Sequence, residues 1–460
     1  MRDLVFVAFL AAFFACGFKR PFIFVLSYVY IDIVSPQRLT YVLLNTVPIS
    51  LIAVALAVGG WALTDQKKDS RVAPRQVLIV VLLVYCYLTT LTADFPIEAH
   101  DKWDWVWKAL AFAAFLPLTL RTKLRIEALL LIMILAASSI IMVGGIKTIA
   151  SGGGGYGQLD LMVANNSGLY EGSTISTVAI AIIPIILWFT KYGTVFRPDW
   201  KVKIFCYCLV FACLLIPVGT STRTGLLCIG LLAVLMLRDT KRKVLYLGVL
   251  AVLAVAAIPF LPSTFTNRMS TIQTYKGDES ASTRLAVWKW TWEYAQDHPL
   301  GGGFEMYRQN QIRYDTDLLE RGDDGQQRMV HKVLVDKARA FHSAYFETLG
   351  EQGFPGLIMW LMINVVGLFR MEVIRRRYRK PAAGGEWIAP LAGALQAAQL
   401  CYLLGAAFIA IAFQPFIYML LGAQIGLDTY LARKRSEQSF RPMRKVRPSV
   451  PEALPDSVPA

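Results

Sequence analysis

Apolar and polar positions along the chain fall into long apolar blocks joined by short polar connections. A helix needs about 20 apolar residues to cross a hydrocarbon core of roughly 30 Å. Blocks of that order occur at residues 41–63, 77–93, 103–120, 126–145, 173–190, 204–218, 225–237, 244–261, 354–369, 387–412 and 413–431. They predict about eleven membrane spans. Near the N-terminus, Lys19, Arg20 and Pro21 split two shorter apolar stretches. Each is only about 14 residues long, so a thin hairpin or a kinked start brings the expectation to about 12 or 13 helices. No small-residue cleavage site follows the first stretch, which argues against a cleaved signal peptide.

One long polar interruption breaks this pattern, from Pro262 to about residue 340, and closes on FHSAYFETLGEQGFPGL beginning at Phe341. Within it, 284–296 places Leu285, Trp288 and Trp292 on one helical face, an amphipathic helix able to lie on the membrane or cap the bundle. Asp297-His298-Pro299 ends that helix, because proline disfavours a helical residue before it. Gly301, Gly302 and Gly303 then permit a sharp turn. Residues 307–339 mix both signs of charge and read largely as a solvated helical face. The expected organisation is one integral membrane domain, residues 1–435, carrying an extracytoplasmic loop at 262–345. Residues 436–460, rich in proline and basic side chains, have too few apolar residues to pack and are expected to form a disordered basic tail on anionic lipid.

Composition agrees with a multi-pass, all-α membrane protein: 55% of the 460 residues are hydrophobic, mean hydropathy is +0.48, and 17% are charged against about 25% in soluble domains. The net charge of +15 raises a nucleic-acid reading. The basic residues, however, sit in alternate connections, among them Lys67 to Arg75, Arg121 to Arg125, Arg238 to Lys243 and Arg370 to Lys380. The positive-inside rule makes these cytoplasmic, so no nucleic-acid partner is expected. The other connections are then extracytoplasmic: 94–101, 147–172, the turn 219–222, the long loop, and the turn at Gln414-Pro415. Trp103, Trp105 and Trp107 read as an interfacial aromatic belt. All seven cysteines fall in apolar segments and suggest no disulfide framework or metal site. Ser151 to Gly157, SGGGGYG, lacks the Gly-Lys-Ser/Thr of a phosphate loop and reads as a flexible connection.

Ionisable residues at the membrane edge are costly and carry a functional reading by default. Arg223 lies in GTSTRTG between two apolar blocks, and a guanidinium there suits phosphate oxygens in a bidentate fork. Arg284 follows Ser280, Ser282 and Thr283 where the amphipathic helix opens, a place that also favours anions. His342 stands where the long loop re-enters the membrane, beside Ser343 and Tyr345, with Glu347 a turn later. A neutral imidazole there can take a proton from an incoming hydroxyl.

These residues in this order resemble the O-antigen ligase and polymerase superfamily of bacterial membrane glycosyltransferases. The resemblance rests on the turn Ser221, Thr222, Arg223; on Arg284 and Trp288 followed by His298-Pro299-Leu300 and Gly302-Gly303; and on His342 before Gly353-x-Pro355-Gly356. RPFIFVLSYVYIDIVSPQRLTY, from Arg20, is similar to the exosortase A-associated O-glycosylation ligase branch. Two departures stand out: many members have Ser-Arg-Gly where this chain has Arg223-Thr224-Gly225, and His-Asn where it has His342-Ser343.

The resemblance implies a GT-C-like fold and a metal-independent, inverting transfer with no cofactor. In that reading a glycan moves from an undecaprenyl-diphosphate carrier to a hydroxyl acceptor, a protein Ser/Thr or a lipid A-core sugar. It also implies a bacterial inner-membrane location with the site on the periplasmic face. Arg223 and Arg284 would bind the diphosphate, and His342 would be the general base. Asn165 and Asn166 resemble an asparagine pair of the family and join Ser221, Ser343, Tyr345 and Trp288 as secondary candidates. A polymerase, whose acceptor is another lipid-linked glycan, is the alternative of the same class. A lipid-glycan flippase is the rival of another class, and would want charged residues along helices at the bilayer midplane.

Overall fold

The structure, a computed structural model, describes residues 2–67, 72–150, 168–238, 279–321, 327–380 and 384–439, with a few isolated positions between 242 and 252. The break at Arg20-Pro21 produces a hairpin. Helix α1 (Arg2–Lys19) folds back on α2 (Phe22–Val34), with Phe9 and Tyr30 at a ring-centroid distance of 5.0 Å and Phe18 and Phe24 at 5.3 Å. Most of α2 is buried and most of α1 is not, so α2 belongs to the bundle and α1 lies outside it. A single turn, α3 (Pro36–Leu39), leads to α4 (Ile49–Thr64). The apolar block from residue 41 therefore becomes helical only after Pro48, which cannot donate within a helix interior.

The bundle continues with α5 (Pro74–Leu91), α6 (Pro96–Thr119), α7 (Lys123–Ala150), α8 (Gly172–Tyr192), α9 (Trp200–Gly219) and α10 (Arg223–Leu237). After the loop come α12 (Ala344–Arg377), α13 (Ile388–Ala406) and α14 (Pro415–Ser439); α11 (Glu279–Asp297) lies within the loop. Among the described residues, six helices are long and apolar enough to cross a membrane: α5, α7, α8, α9, α12 and α13; α2, α4 and α10 are shorter apolar helices. The fold is all-α and polytopic. Of the other expected spans, α6 carries Glu98, Asp101, Lys102 and Asp104 within its first nine residues, and α14 carries Arg433, Lys434 and Arg435 near its end. The block at 244–261 lies almost wholly outside the described residues. Helix α14 runs to Ser439, past the boundary expected at 436, and residues 440–460 lie outside the described residues.

Helix α8 is the axle of the bundle, packing on α7, α9, α10 and α13. Its most apolar window is 83% buried, against 33% for α12. Small and β-branched residues allow this, because without a hydrophobic driving force in lipid, helices associate by close packing. Thr177 sits against Gly405, where a Cβ would come within 2.3 Å of the threonine Cγ2. At the opposite end, a buried polar seam joins α5, α14, α13 and α12. Arg75 donates to Gln424 (3.1 Å), Gln424 to Gln399 (2.9 Å), and Gln399 to Asn364 Oδ1 (3.0 Å). Interhelical hydrogen bonds of this kind fix register where apolar contacts cannot.

The loop departs from the sequence expectation in two ways. Helix α11 forms, but its buried stripe is Thr283, Val287, Thr291 and Ala295, while Leu285 and Trp292 are exposed. The narrow face packs on α12; of the expected apolar face Trp288 turns inward, and Trp292, though exposed, sets its ring edge-on to Phe354 of α12 at 5.8 Å. Second, the stretch read as a solvated helical face contains an antiparallel hairpin, β1 (Gln311–Arg321) and β2 (Gln327–Lys337), pairing Gln311 with Lys337 and Arg321 with Gln327. Its strands alternate apolar and polar residues through Ile312-Arg313-Tyr314-Asp315 and Val333-Leu334-Val335-Asp336, and Gly322-Asp323-Asp324-Gly325 lies between them. That period of two with turn residues between is a hairpin signal, obscured here by charges on both strands.

The turn after α11 anchors the loop to the bundle. The Gly302 N–H donates to Gly350 O (3.0 Å), Gly303 N–H to Glu351 O (2.9 Å), and Phe354 N–H to Pro299 O (3.0 Å). These bonds reach α12 where it kinks at Gly353, whose φ is 63° and ψ −167°. Gly301 has φ 82°, and a Cβ there would lie 2.5 Å from Gly353 N. Gly301→Ala therefore combines a left-handed backbone with overlap against backbone that cannot swing away. It is expected to destabilise the purified protein by roughly 1–3 kcal/mol. Thermal melting in detergent checks this, and an unchanged melting temperature would contradict the docked turn.

Candidate active site

His342 is mounted by the loop helix. Trp288 Nε1–H of α11 donates to the carbonyl of Phe341 (2.8 Å), and the Trp288 ring stacks on Phe346 at 5.1 Å with a 7° interplanar angle. Phe341 is buried among Val287, Met306 and Ile312. The backbone on either side of His342 is thus held, and His342 itself adopts φ 48°. A non-glycine residue in the left-handed region persists only where its surroundings over-determine it. Ser343 follows as the N-cap position of α12, buried, without a side-chain cap bond. Tyr345 points into the bundle, donating to Leu403 O (3.1 Å) with its ring edge-on to Trp360 at 5.3 Å. It fixes α12 against α13.

Arg223 begins α10 in a turn that breaks two local rules. An arginine in the first turn faces the positive end of the helix dipole, where cations are disfavoured. Thr222, at the N-cap, makes no side-chain cap bond, although such caps contribute about 1 kcal/mol. Its hydroxyl instead donates to Ser176 Oγ on α8 (2.9 Å). Ser221 before it has φ 51°. The result is a guanidinium and an uncapped helix N-terminus at one place, both of which attract anions.

Both loops bear on the first turns of α8, the Arg223 turn through Ser176 and His342 electrostatically through Glu171. Glu171 is the N-cap of α8, accepting from Ser173 N–H (3.0 Å), Thr174 N–H (2.6 Å) and Thr174 Oγ1–H (2.7 Å). The same carboxylate acts electrostatically on His342. Five residues on, Ser176 holds the Arg223 turn, an axial rise of about 7.5 Å along the helix. Although His342 opens to solvent, the surrounding protein desolvates it and lowers its imidazole below the ordinary histidine value. Arg284 and Arg339 act in the same direction, and Glu171 opposes them. His342, Arg284, Arg339 and Glu171 therefore form one electrostatic group. A neutral imidazole beside two guanidinium groups can take a proton while the arginines neutralise an anion. Glu171 and Arg339 were not singled out from sequence. No signal in the sequence places Glu171, because the favoured N-cap residues after it, Ser173 and Thr174, would be chosen first.

A buried ion cluster just beneath also went unrecognised in the sequence. Lys102 of α6 donates to Glu347 Oε1 (2.7 Å) and to both oxygens of Glu351 (2.8 and 2.9 Å), with side-chain exposures of 10%, 4% and 0% respectively. Glu347 Oε2 also accepts Ala412 N–H (2.9 Å), and Glu351 Oε1 accepts Glu305 N–H (3.1 Å). Every carboxylate oxygen in the cluster has a donor. It clamps the start of α12, a turn and more beyond His342, to α6 and to the glycine turn.

Asn165 and Asn166 lie outside the described residues. The chain does contain an Asp-x-Asp pair, Asp315 and Asp317, on β1 opposite Val333 and His331. Among the described residues no group of three or more His, Cys, Asp or Glu is placed to hold a metal ion.

Residues 1–194 match a family of unknown function (DUF5935). No curated protein matches the chain. Residues 208–361 match the family described as O-antigen ligase, a segment that includes Arg223, Arg284, Trp288 and His342, and this match supports placing the chain with the O-antigen ligase superfamily as a glycan-transferring membrane protein.

Proposed function

We propose that this protein is a glycan ligase of the exosortase-associated branch, moving a preassembled glycan from undecaprenyl diphosphate to a hydroxyl acceptor on the periplasmic face of the inner membrane. The observation that carries the reading is the convergence on the first turns of α8. Glu171 and Arg284 both act electrostatically on His342, and Ser176 holds the turn of Arg223. In the transfer, the acceptor oxygen attacks the anomeric carbon and the bond from that carbon to the phosphate oxygen breaks. His342 takes the hydroxyl proton. The diphosphate leaves with the bonding electron pair, and Arg223 and Arg284 stabilise its charge. Attack opposite the leaving group inverts the anomeric centre. Helix α11 covers the donor and excludes water.

Transfer from lipid-linked glycan, assayed in membranes with matched protein levels, tests this. Arg223→Ala is expected to lower kcat/KM by about tenfold to a hundredfold, the loss of one charge-assisted contact. Arg223→Lys should recover only part, because an ammonium cannot present the guanidinium fork. Activity should persist in excess chelator. Wild-type transfer by Arg223→Ala would overturn the diphosphate assignment, and accumulation of longer lipid-linked polymer without an attached acceptor would identify a polymerase instead.

A further inference from the structure

The α9–α10 turn is built with more restraint than a connection of its length needs. Ser176 is fully buried, and its hydroxyl already has an acceptor in its own helix, Gly172 O at 2.7 Å. Thr220 likewise has Ile216 O at 2.9 Å. Burial of these hydroxyls is thus satisfied locally, and nothing in α8 or α9 requires them to meet. Yet the three hydroxyl oxygens lie within 2.8–3.0 Å of one another, and with the Ser176 and Thr220 protons on their own helices' carbonyls, the proton that joins them is Thr222's, donated to Ser176 Oγ at 2.9 Å. Thr222 makes this bond instead of capping its own helix. The turn is also wedged by contacts that admit no side chain: a Cβ on Gly219 would come within 2.0 Å of Thr148 Oγ1, and one on Gly225 within 2.6 Å of Pro217 Cβ.

We propose that Ser176 is a positioning residue for the donor diphosphate: its hydroxyl clasps the turn by accepting from Thr222, so that the left-handed turn at Ser221 presents Arg223 from the N-terminus of α10. This rests on the reading of Arg223 as a diphosphate ligand. Without the clasp, Thr222 is free to cap α10 and Ser221 to relax, and Arg223 starts from a different direction. The cost falls on donor binding, because the clasp acts on the bound anion and not on the proton transfer at His342.

The experiment is steady-state transfer by the full chain in lipid nanodiscs, varying an undecaprenyl-diphosphate-linked glycan donor. Variants are Ser176→Ala, Thr222→Val, the double variant and Arg223→Ala. Each clasp variant is expected to raise the donor KM about fivefold, the net worth of one neutral hydrogen bond, with kcat within about twofold. The double variant should match the singles, because all three remove the same bond. If Arg223→Ala impairs transfer while the clasp variants keep the wild-type KM, the clasp is overturned and the diphosphate reading stands. If Arg223→Ala transfers normally, both fall. Loss of kcat with a lowered melting temperature and an unmoved KM would show a packing role only, and would also overturn the proposal.

Discussion

His342→Ala is expected to lower the transfer rate by about 10²- to 10⁴-fold at neutral pH, the usual worth of a general base. His342→Asn should do the same, and it separates chemistry from backbone. Asparagine tolerates the left-handed φ that position 342 adopts but cannot take a proton. Both variants should fold, because the imidazole opens to solvent and the flanking Phe341 carbonyl is held by Trp288. Transfer at wild-type rate by both would remove His342 from the mechanism.

The pH dependence has a definite sign. Neutral imidazole is the working form, and desolvation by the surrounding protein together with Arg284 lowers its affinity for protons. The acid limb of kcat/KM, which reports the free enzyme, should therefore lie below the ordinary histidine value of about 6.5. Arg284→Gln removes one lowering charge and should move that limb upward. In the donor complex the diphosphate opposes the arginines, so the acid limb of kcat should lie above that of kcat/KM. Stability follows the same direction. His342's contribution is complete above the unfolded value near 6.5 and declines as pH falls toward the lower folded value. An acid limb of kcat/KM above about 6.5 would contradict the assigned environment.

Arg223 and His342 stand out in the sequence as candidates because each is a polar residue at the edge of an apolar block, where hydration is lost and a partner is required. The spans were legible for the same reason, since the hydrocarbon core imposes a length. What was not legible depends on residues distant in sequence. Glu171 looks like an acidic loop residue until α8 is seen to start with it. The hairpin was hidden because Arg313, Asp315, Asp317 and Glu320 resemble a solvated helix when charge is read before alternation. Leu285 and Trp292 stay largely exposed against what their spacing suggests, because α11 packs mainly through the smaller residues that let it approach α12. Glu347 and Glu351 are an intermediate case. Two carboxylates at i and i+4 repel, so their presence in a re-entering helix asks for a cation. Only the fold identifies it as Lys102, 245 residues from Glu347.

Lys102→Met should destabilise the protein more than Gly301→Ala or any substitution at His342, Arg223 or Ser176. Methionine fills much of the lysine's volume, so the effect is electrical and not a cavity. Its removal leaves Glu347 and Glu351 facing one another with only the Ala412 and Glu305 N–H groups as donors. Stranding buried charge in this way costs about 3–5 kcal/mol. Phe304 and Phe413, whose rings lie 5.5 and 6.0 Å from the ammonium, cannot compensate. A lower melting temperature in detergent and reduced membrane accumulation are the expected readouts. The double variant Lys102→Met/Glu351→Gln discriminates the cause. It removes one negative charge along with the positive one and should recover a substantial part of the loss, because the amide can still accept from Glu305 N–H. Recovery of folding with normal transfer would show that the cluster acts by holding α12 and the glycine turn in place beneath His342. Recovery of folding without transfer would mean that the charge itself is needed at the site. If Lys102→Met melts as wild type, the clamp is not what holds the start of α12.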